Sequence, residues 1–170
     1  PPSSGGPVVD MGAYEHAFGS NDVWIWSGLN SDYFDDQENW LPQGVPDAGS
    51  NCLFSSTGYS NVTFDQTTEV NSMLFTEGSY TLALNWNSLL LDSAYNPLRV
   101  DAFENGATVT FKEGLIQVTG GLNIDRGNIS FENITLDVGE MWLEHGAICN
   151  FNGSLVGTLT NNGSVLSTAG

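Results

Sequence analysis

The stretch at 106–111 reads Gly-Ala-Thr-Val-Thr-Phe, and it is echoed by Gly-Asn-Ile-Ser-Phe at 127–131 and by Gly-Ala-Ile-Cys-Asn-Phe at 146–151. A fourth echo begins at Gly163. The spacing of about twenty residues is the signature of a repeat architecture. Further apolar alternations recur inside each period, as at 115–118 and 136–138. The sequence therefore predicts a repeating unit of three short strands.

A unit of this size matches one coil of a parallel β-solenoid, which places Gly or Asn at the corners between strands. Successive coils stack about 4.8 Å apart, so equivalent side chains form columns. We expect one inward column of Val109, Ile129 and Ile148. We expect a second column of Phe111, Phe131 and Phe151. An antiparallel sandwich is the alternative, but it does not require a constant period.

The composition favours an all-β protein with an acidic surface. Gly, Asn, Ser and Thr separate short apolar runs, which is typical of strands joined by tight turns. Only three Lys and Arg residues stand against twenty Asp and Glu residues. A surface of this sign repels phosphate backbones and anionic lipid headgroups, so we expect no nucleic-acid partner. No apolar run approaches the roughly 18 residues that span a bilayer, so we expect no membrane insertion.

The chain divides into three parts by composition. Residues 1–22 are predicted to form an extended N-terminal segment, which is rich in Pro, Gly and Ser and too short to form a hydrophobic core of its own. Residues 23–60 contain Trp24, Trp26 and Trp40 among turn residues, which predicts an aromatic N-terminal cap. Residues 61–170 are predicted to form the solenoid.

A solenoid has two open ends, and each end is a row of unpaired backbone groups that recruits another strand unless it is covered. The tryptophan-rich part is placed to cover the N-terminal end. The last repeat, at 163–170, contains Val165 and Leu166 and has nothing bulky or polar after it to cap it in this sequence, so we expect something else to cover it. The candidate covering strand is the N-terminal apolar segment, which contains Val8, Val9, Met11, Ala13 and Tyr14.

Two other groups of residues are candidates for a disulfide bond and for a calcium site. Cys52 and Cys149 leave two interpretations open, a disulfide or two buried free thiols, and neither has the neighbours of a zinc site. The densest acidic cluster contains hard oxygen ligands that Ca²⁺ prefers, although solvated loop acids are the simpler interpretation. Its members are Asp32, Asp35, Asp36 and Glu38. We expect no other cofactor.

Trp86 and Trp142 are candidate sugar-binding residues. Each is predicted at a strand position where one face of the ring meets solvent, and such a face packs against a pyranose ring. Packing in the core or the cap is the alternative interpretation for both. The sequence therefore raises polysaccharide as a candidate ligand.

The order of several motifs resembles a known family. Trp26-Ser27-Gly28, Asn39-Trp40 and Val45-Pro46, followed by coils that end in Leu159-Thr160-Asn161-Asn162-Gly163, resemble autotransporter-associated β-strand repeat proteins and related large secreted bacterial surface proteins. Separately, residues 8–15 resemble the closing motif of pectate-lyase-like right-handed β-helix domains. These resemblances imply a right-handed coil, an extracellular or cell-surface location and no catalysis.

The sequence therefore predicts a non-enzymatic extracellular structural module. The first hypothesis is a filament or surface-layer subunit that assembles head to tail by N-terminal strand addition. The alternative is a carbohydrate-binding or adhesion module of a larger secreted protein, with neighbouring modules as its partners. The basic residues Arg99, Lys112 and Arg126 are scattered among acids, which argues against a lyase acting on acidic polysaccharide.

Overall fold

The computed structural model describes residues 23–55, 59–93, 98–100, 107–144, 146–162 and 165–168. This part of the chain is nearly all β and forms a parallel β-solenoid of about five turns, which confirms the predicted fold. One 3₁₀ turn, Gln37–Asn39, precedes β2. The strands are β1 (Val23–Trp26), β2 (Trp40–Leu41), β3 (Asn51–Ser55), β4 (Asn61–Thr63), β5 (Thr68–Val70), β6 (Ser72–Glu77), β7 (Ser79–Ala83), β8 (Ser88–Leu91), β9 (Leu98–Val100), β10 (Thr108–Ile124), β11 (Gly127–Leu143), β12 (Ala147–Asn161) and β13 (Val165–Thr168).

The stacked strands make three faces. The first face contains β1, β3, β6, β9 and the last parts of β10, β11 and β12. The second face contains β4, β7, the first parts of the three long strands, and β13. The third face contains β5, β8 and the middle parts of the long strands. Each long strand therefore bends around two corners of the coil.

The interior is a set of apolar columns, one of which differs from the prediction. Phe111, Phe131 and Phe151 occupy equivalent positions, as expected. The neighbouring column is Val109, Ile129 and Cys149, while Ile148 pairs with Asn128 and is 38% exposed. Side chains of a strand return to the same face every two residues, so Phe151 shares its face with Cys149 and not with Ile148.

The aromatic cap is present at the N-terminal end of the stack. Trp26 and Trp40 are fully buried with ring centroids 5.1 Å apart, and Phe34 stacks on Phe64 at 4.7 Å. The parallel ladder begins before the expected boundary at residue 61, because Trp24 of β1 already pairs with Cys52 of β3. The cap and the first coil therefore form one continuous stack. The predicted extended segment 1–22 lies outside the described residues.

The corner between the second and third faces uses a left-handed residue in successive coils. Glu113 has φ 57° and Asn133 has φ 55°, and each lies at the bend of its long strand. Asn tolerates this conformation, whereas Glu adopts it at a cost of about 1 kcal/mol.

We expect Glu113→Gly to stabilise the protein by about 0.5–1 kcal/mol, because glycine adopts positive φ without steric cost. The measurement is the midpoint of chemical unfolding. Glu132→Gly, in extended strand nearby, is the matched control and is expected to destabilise. A lower midpoint for Glu113→Gly than for the unchanged chain would contradict the corner assignment.

Candidate functional site

The last coil is the most unusual surface of the described chain. Phe151, Leu155 and Leu159 of β12 pack on the interior columns but are only partly buried. The residues one coil before them in the same columns are Phe131, Leu136 and Met141, which are at most 1% exposed. The interior therefore opens at this end on an apolar surface.

The backbone of the last coil offers an edge beside these side chains. β13 pairs with β12 only along Ile148–Phe151. Among the described strands, residues Asn152–Thr160 of β12 pair with β11 alone. An edge of unpaired N–H and C=O groups next to apolar side chains is a template for an added strand.

The predicted assembly residues are only partly described. Val165 and Leu166 lie in β13, at the end of the strand order, opposite Ile148 and Cys149. Val8, Val9, Met11, Ala13 and Tyr14 lie outside the described residues. The receiving end predicted from the sequence therefore coincides with the open coil, and it extends along β12 to residues that the prediction did not name.

The acidic cluster near the cap has structural partners. Asp36 accepts hydrogen bonds from Ser31 Oγ at 2.6 Å, Asn30 Nδ2 at 2.8 Å and the Glu38 amide at 3.0 Å. Asp32 Oδ2 accepts from Thr63 Oγ1 at 3.1 Å. Within the described ranges, no group of three or more His, Cys, Asp or Glu side chains is placed to hold a metal ion. Asp36 caps the 3₁₀ turn through its bond from the Glu38 amide. The structure does not bring together at one point the four predicted acids, Asp32, Asp35, Asp36 and Glu38.

The carboxyl groups of this loop respond differently to their surroundings. Hydrogen bonds from Ser31, Asn30 and the Glu38 amide lower the pKa of Asp36, because they favour the charged form. Burial, and then the charge of Asp65, raise the pKa of Asp35. The stability from the Asp36 contacts is present above the ordinary pKa of a carboxyl group and is lost as the pH falls through its lowered value.

The two candidate sugar-binding tryptophans lie on different faces. Trp86 is 76% exposed at the corner between the second and third faces, in a left-handed conformation with φ 66°. Trp142 is partly buried on the outside of the first face, and its ring fills the space where a side chain at Gly121 would lie. They do not form one shared platform.

The cysteines are two buried free thiols, so the disulfide interpretation is not borne out. Cys52 lies on the first face of the first coil and Cys149 on the second face near the last, four coils or about 19 Å along the stack. A disulfide joins Cα atoms less than about 7 Å apart. Burial raises the pKa of Cys149 to about 12 and the pKa of Cys52 well above its ordinary value, so both stay neutral thiols.

The third face carries a shallow cleft of about 430 Å³. Glu69, Asp92 and Asp137 line it together with Gln117, whose Nε2 donates to Asp137 Oδ2 at 3.2 Å. Leu90, Val118 and Thr119 complete the lining. Its three carboxylates repel an anionic ligand, which makes an acidic polysaccharide a poor fit.

These features define a parallel β-solenoid with an aromatic cap and an open last coil. No protein-family model matches the chain, and comparisons with known proteins and with solved structures also find no match. In the described part, no helix is long and apolar enough to cross a membrane. The resemblance to secreted surface proteins therefore stays a prediction from the sequence.

Proposed function

We propose that this chain is a non-enzymatic extracellular structural module that assembles head to tail, with residues 7–14 of one copy adding as a strand to the open last coil of the next. The observation that carries the proposal is the partial exposure of Phe151, Leu155 and Leu159, in columns that are buried elsewhere. The extracellular location follows from the resemblance to secreted surface proteins.

Strand addition here would bring two kinds of interaction. Completing the burial of the three apolar side chains would contribute about 1 kcal/mol for each. The backbone edge of β12 beyond Phe151 would also gain partners along up to nine residues, Asn152–Thr160. The added strand must be largely apolar on one face, because it covers an apolar coil, and residues 7–14 include such side chains.

The contact is heterologous, since the last coil of one copy receives the N-terminal segment of another. Such contacts generate open filaments unless the rotation between copies closes a ring. Each copy carries a net charge of −17, so copies repel one another. The Debye length falls from about 30 Å at 0.01 M salt to about 8 Å at 0.15 M, and we therefore expect assembly to increase with salt.

The test is the solution mass of the full chain by light scattering, with electron microscopy of the same sample. We expect polymers whose mass rises with protein concentration and with salt. Leu155→Glu places a charge on the open interior column and is expected to reduce the mass to that of a single chain. Val9→Asp with Met11→Asp, in the N-terminal segment, is expected to do the same.

Val156→Glu is the matched control for this test. Val156 is the next residue of β12 and is 57% exposed on the outside of the coil, so its change leaves the interior surface intact. The solution mass of its polymers should equal that of the polymers of the unchanged chain. A single-chain mass for the unchanged protein at all concentrations would overturn the proposal, as would equal loss of polymers in both variants.

A carbohydrate-binding or adhesion module is the second candidate function. The observation that favours it is Trp86, a large apolar side chain held outward in a strained left-handed conformation. Strained residues that the surrounding structure maintains are concentrated at functional sites. Retention of the full chain on an insoluble polysaccharide, lost in Trp86→Ala and kept in Trp142→Ala, would support this function.

A further inference from the structure

The cleft on the third face has the size and the mixed composition of a ligand site. Its volume of about 430 Å³ lies within the range of small-molecule sites, about 300–1,000 Å³. Leu90 and Val118 contribute apolar atoms to its surface, while Gln117 and Thr119 contribute an amide and a hydroxyl group. The cleft thus offers an apolar surface to the body of a ligand and hydrogen-bonding groups to its edges.

The charge of the cleft determines the sign of the ligand that fits it. Glu69, Asp92 and Asp137 line the cleft, and we call them the cleft carboxylates. The bond from Gln117 Nε2 to Asp137 Oδ2 comes from a neutral amide, so it leaves the charge of that carboxylate uncompensated. A concave surface of one sign concentrates ions of the opposite sign. Lys and Arg are absent from the strand segments that make the third face, which are 68–70, 88–91, 115–118, 134–137 and 153–156.

Trp86 stands at the other side of the third face, in a turn that is fixed from both neighbouring coils. Asn85 and Trp86, with φ 48° and 66°, are the central residues of a type I′ turn, which the amide of Asn87 closes with a hydrogen bond of 2.8 Å. Asn85 Nδ2 and Asn87 Nδ2 both donate to Phe64 O in the coil before, at 3.3 and 3.2 Å. The amide of Trp86 donates to Glu113 O in the coil after, at 2.6 Å. The backbone that presents the indole is therefore held in place.

Burial does not explain why a tryptophan occupies this turn. Gly, Asn and Asp dominate the central positions of type I′ turns, because they accept positive φ. A bulky residue is strained there, and Trp86 is 76% exposed, so burial offsets little of the strain. An indole that is held rigidly in solvent can stack on the apolar face of a sugar ring. Its π face also attracts an ammonium group, more strongly than that of any other aromatic side chain.

Trp86 and the cleft lie at the two ends of the same strand, β8. Leu90 follows Trp86 by four residues, which is at most about 13–14 Å of extended chain. Leu89 is fully buried, so Ser88 and Leu90 on either side of it face outward. Asp92 follows directly after β8. A ligand that contacts both the indole and the cleft therefore runs across the outside of the third face and is longer than one sugar ring.

We propose that the third face binds a linear polysaccharide that carries amino groups. Trp86 stacks on one sugar ring, and the cleft carboxylates bind ammonium groups further along the polymer. The inference rests on the carbohydrate-binding function, the second candidate above, and names its ligand class. It does not involve the last coil, so it stands independently of head-to-tail assembly.

The test is calorimetric titration of the full chain with oligomers of glucosamine, N-acetylglucosamine and galacturonic acid of one length, at a pH at which the amino groups are protonated. We expect the glucosamine oligomer to bind most tightly, with an affinity that falls as salt screens the carboxylates. Trp86→Ala is expected to weaken its binding about fivefold or more, whereas Trp86→Phe, which keeps a ring, should retain most of the affinity. Asp137→Asn is expected to weaken binding about threefold.

Two variants on other faces are matched controls. Trp142→Ala removes an indole from the outside of the first face. Glu132→Gln neutralises a carboxylate that pairs with Lys112 Nζ at 3.2 Å on the second face. Both should bind the glucosamine oligomer with the affinity of the unchanged chain. A loss of affinity in either control equal to that of its counterpart on the third face would contradict the assigned site.

Three further outcomes would overturn the inference. Equal affinity for the N-acetylated oligomer would show that amino groups are not recognised. A linear polyamine that binds as tightly as the glucosamine oligomer, with no effect of Trp86→Ala, would show attraction to an acidic surface alone. Retention on a neutral insoluble polysaccharide, without binding of the glucosamine oligomer, would leave the carbohydrate-binding function in place and remove only this inference. Light scattering on the same variants reports assembly separately.

Discussion

Phe131→Ala is expected to lower the free energy of unfolding by about 3–5 kcal/mol, the range measured for a fully buried phenylalanine. Phe131 is 1% exposed, and its ring lies 5.8 Å from that of Phe111 and 5.4 Å from that of Phe151. The cavity would lie in the middle of the column and separate the coils on either side. Chemical unfolding followed by circular dichroism measures the loss.

Phe151→Ala is the matched control, because the same ring is removed from the same column one coil later. Phe151 is only partly buried, so less apolar area returns to water and solvent fills the gap. Both substitutions are therefore compared in the Val9→Asp, Met11→Asp background, which is expected not to assemble, and there Phe151→Ala should cost about half as much as Phe131→Ala. Equal losses at the two positions would mean that the last coil is covered in solution, and a loss below about 1 kcal/mol for Phe131→Ala would contradict the interior column.

Gly153→Ala is expected to destabilise the protein by about 3 kcal/mol, because the neighbouring coil leaves no room for a side chain. A Cβ atom at Gly153 would lie 1.9 Å from the backbone oxygen of Ile134. The obstruction is backbone that is fixed in the ladder, so relief requires the two coils to separate locally. Thermal unfolding of the variant measures the effect.

Gly139→Ala tests whether this loss comes from the close approach of the coils. A Cβ at Gly139 meets nothing within 4 Å, so alanine there should change stability by less than about 0.5 kcal/mol. Similar losses for both glycines would indicate that chain flexibility, and not contact with Ile134, sets the requirement.

The repeat made most of the fold predictable. Gly127 and Gly146 have φ 98° and 90°, left-handed values that glycine adopts at a corner without steric cost. Ile148 does not continue the column of Ile129, because Gly127 pairs with Ala147 and not with Gly146. The two-residue period of Ile129 and Phe131 already required Cys149 beside Phe151. The spacing of Phe111, Phe131 and Phe151 predicts the register that the structure shows.

The candidate sites were less predictable, for identifiable reasons. The apolar run Cys52-Leu53-Phe54 contains both interior and outward residues, and nothing in its composition separates them. The burial of Leu53, which points outward, therefore had no signal in the sequence. The acids of the cap loop have a composition suited to Ca²⁺, but Asp36 caps a 3₁₀ turn and Asp32 binds Thr63. Short-range loop geometry, which composition does not report, decided their roles.

Each coil of the stack contacts the coils directly beside it, and this arrangement determines how the molecule responds to tension. In a repeat protein each unit is held by the units directly beside it. A force applied between the two ends of the chain would therefore load one coil at a time, beginning at β13, which among the described residues is joined to β12 by four residue pairs. Each released coil would lengthen the chain by about 65 Å, since twenty extended residues replace one stacking distance. A rod of such coils would yield stepwise under load and act as an extensible tether.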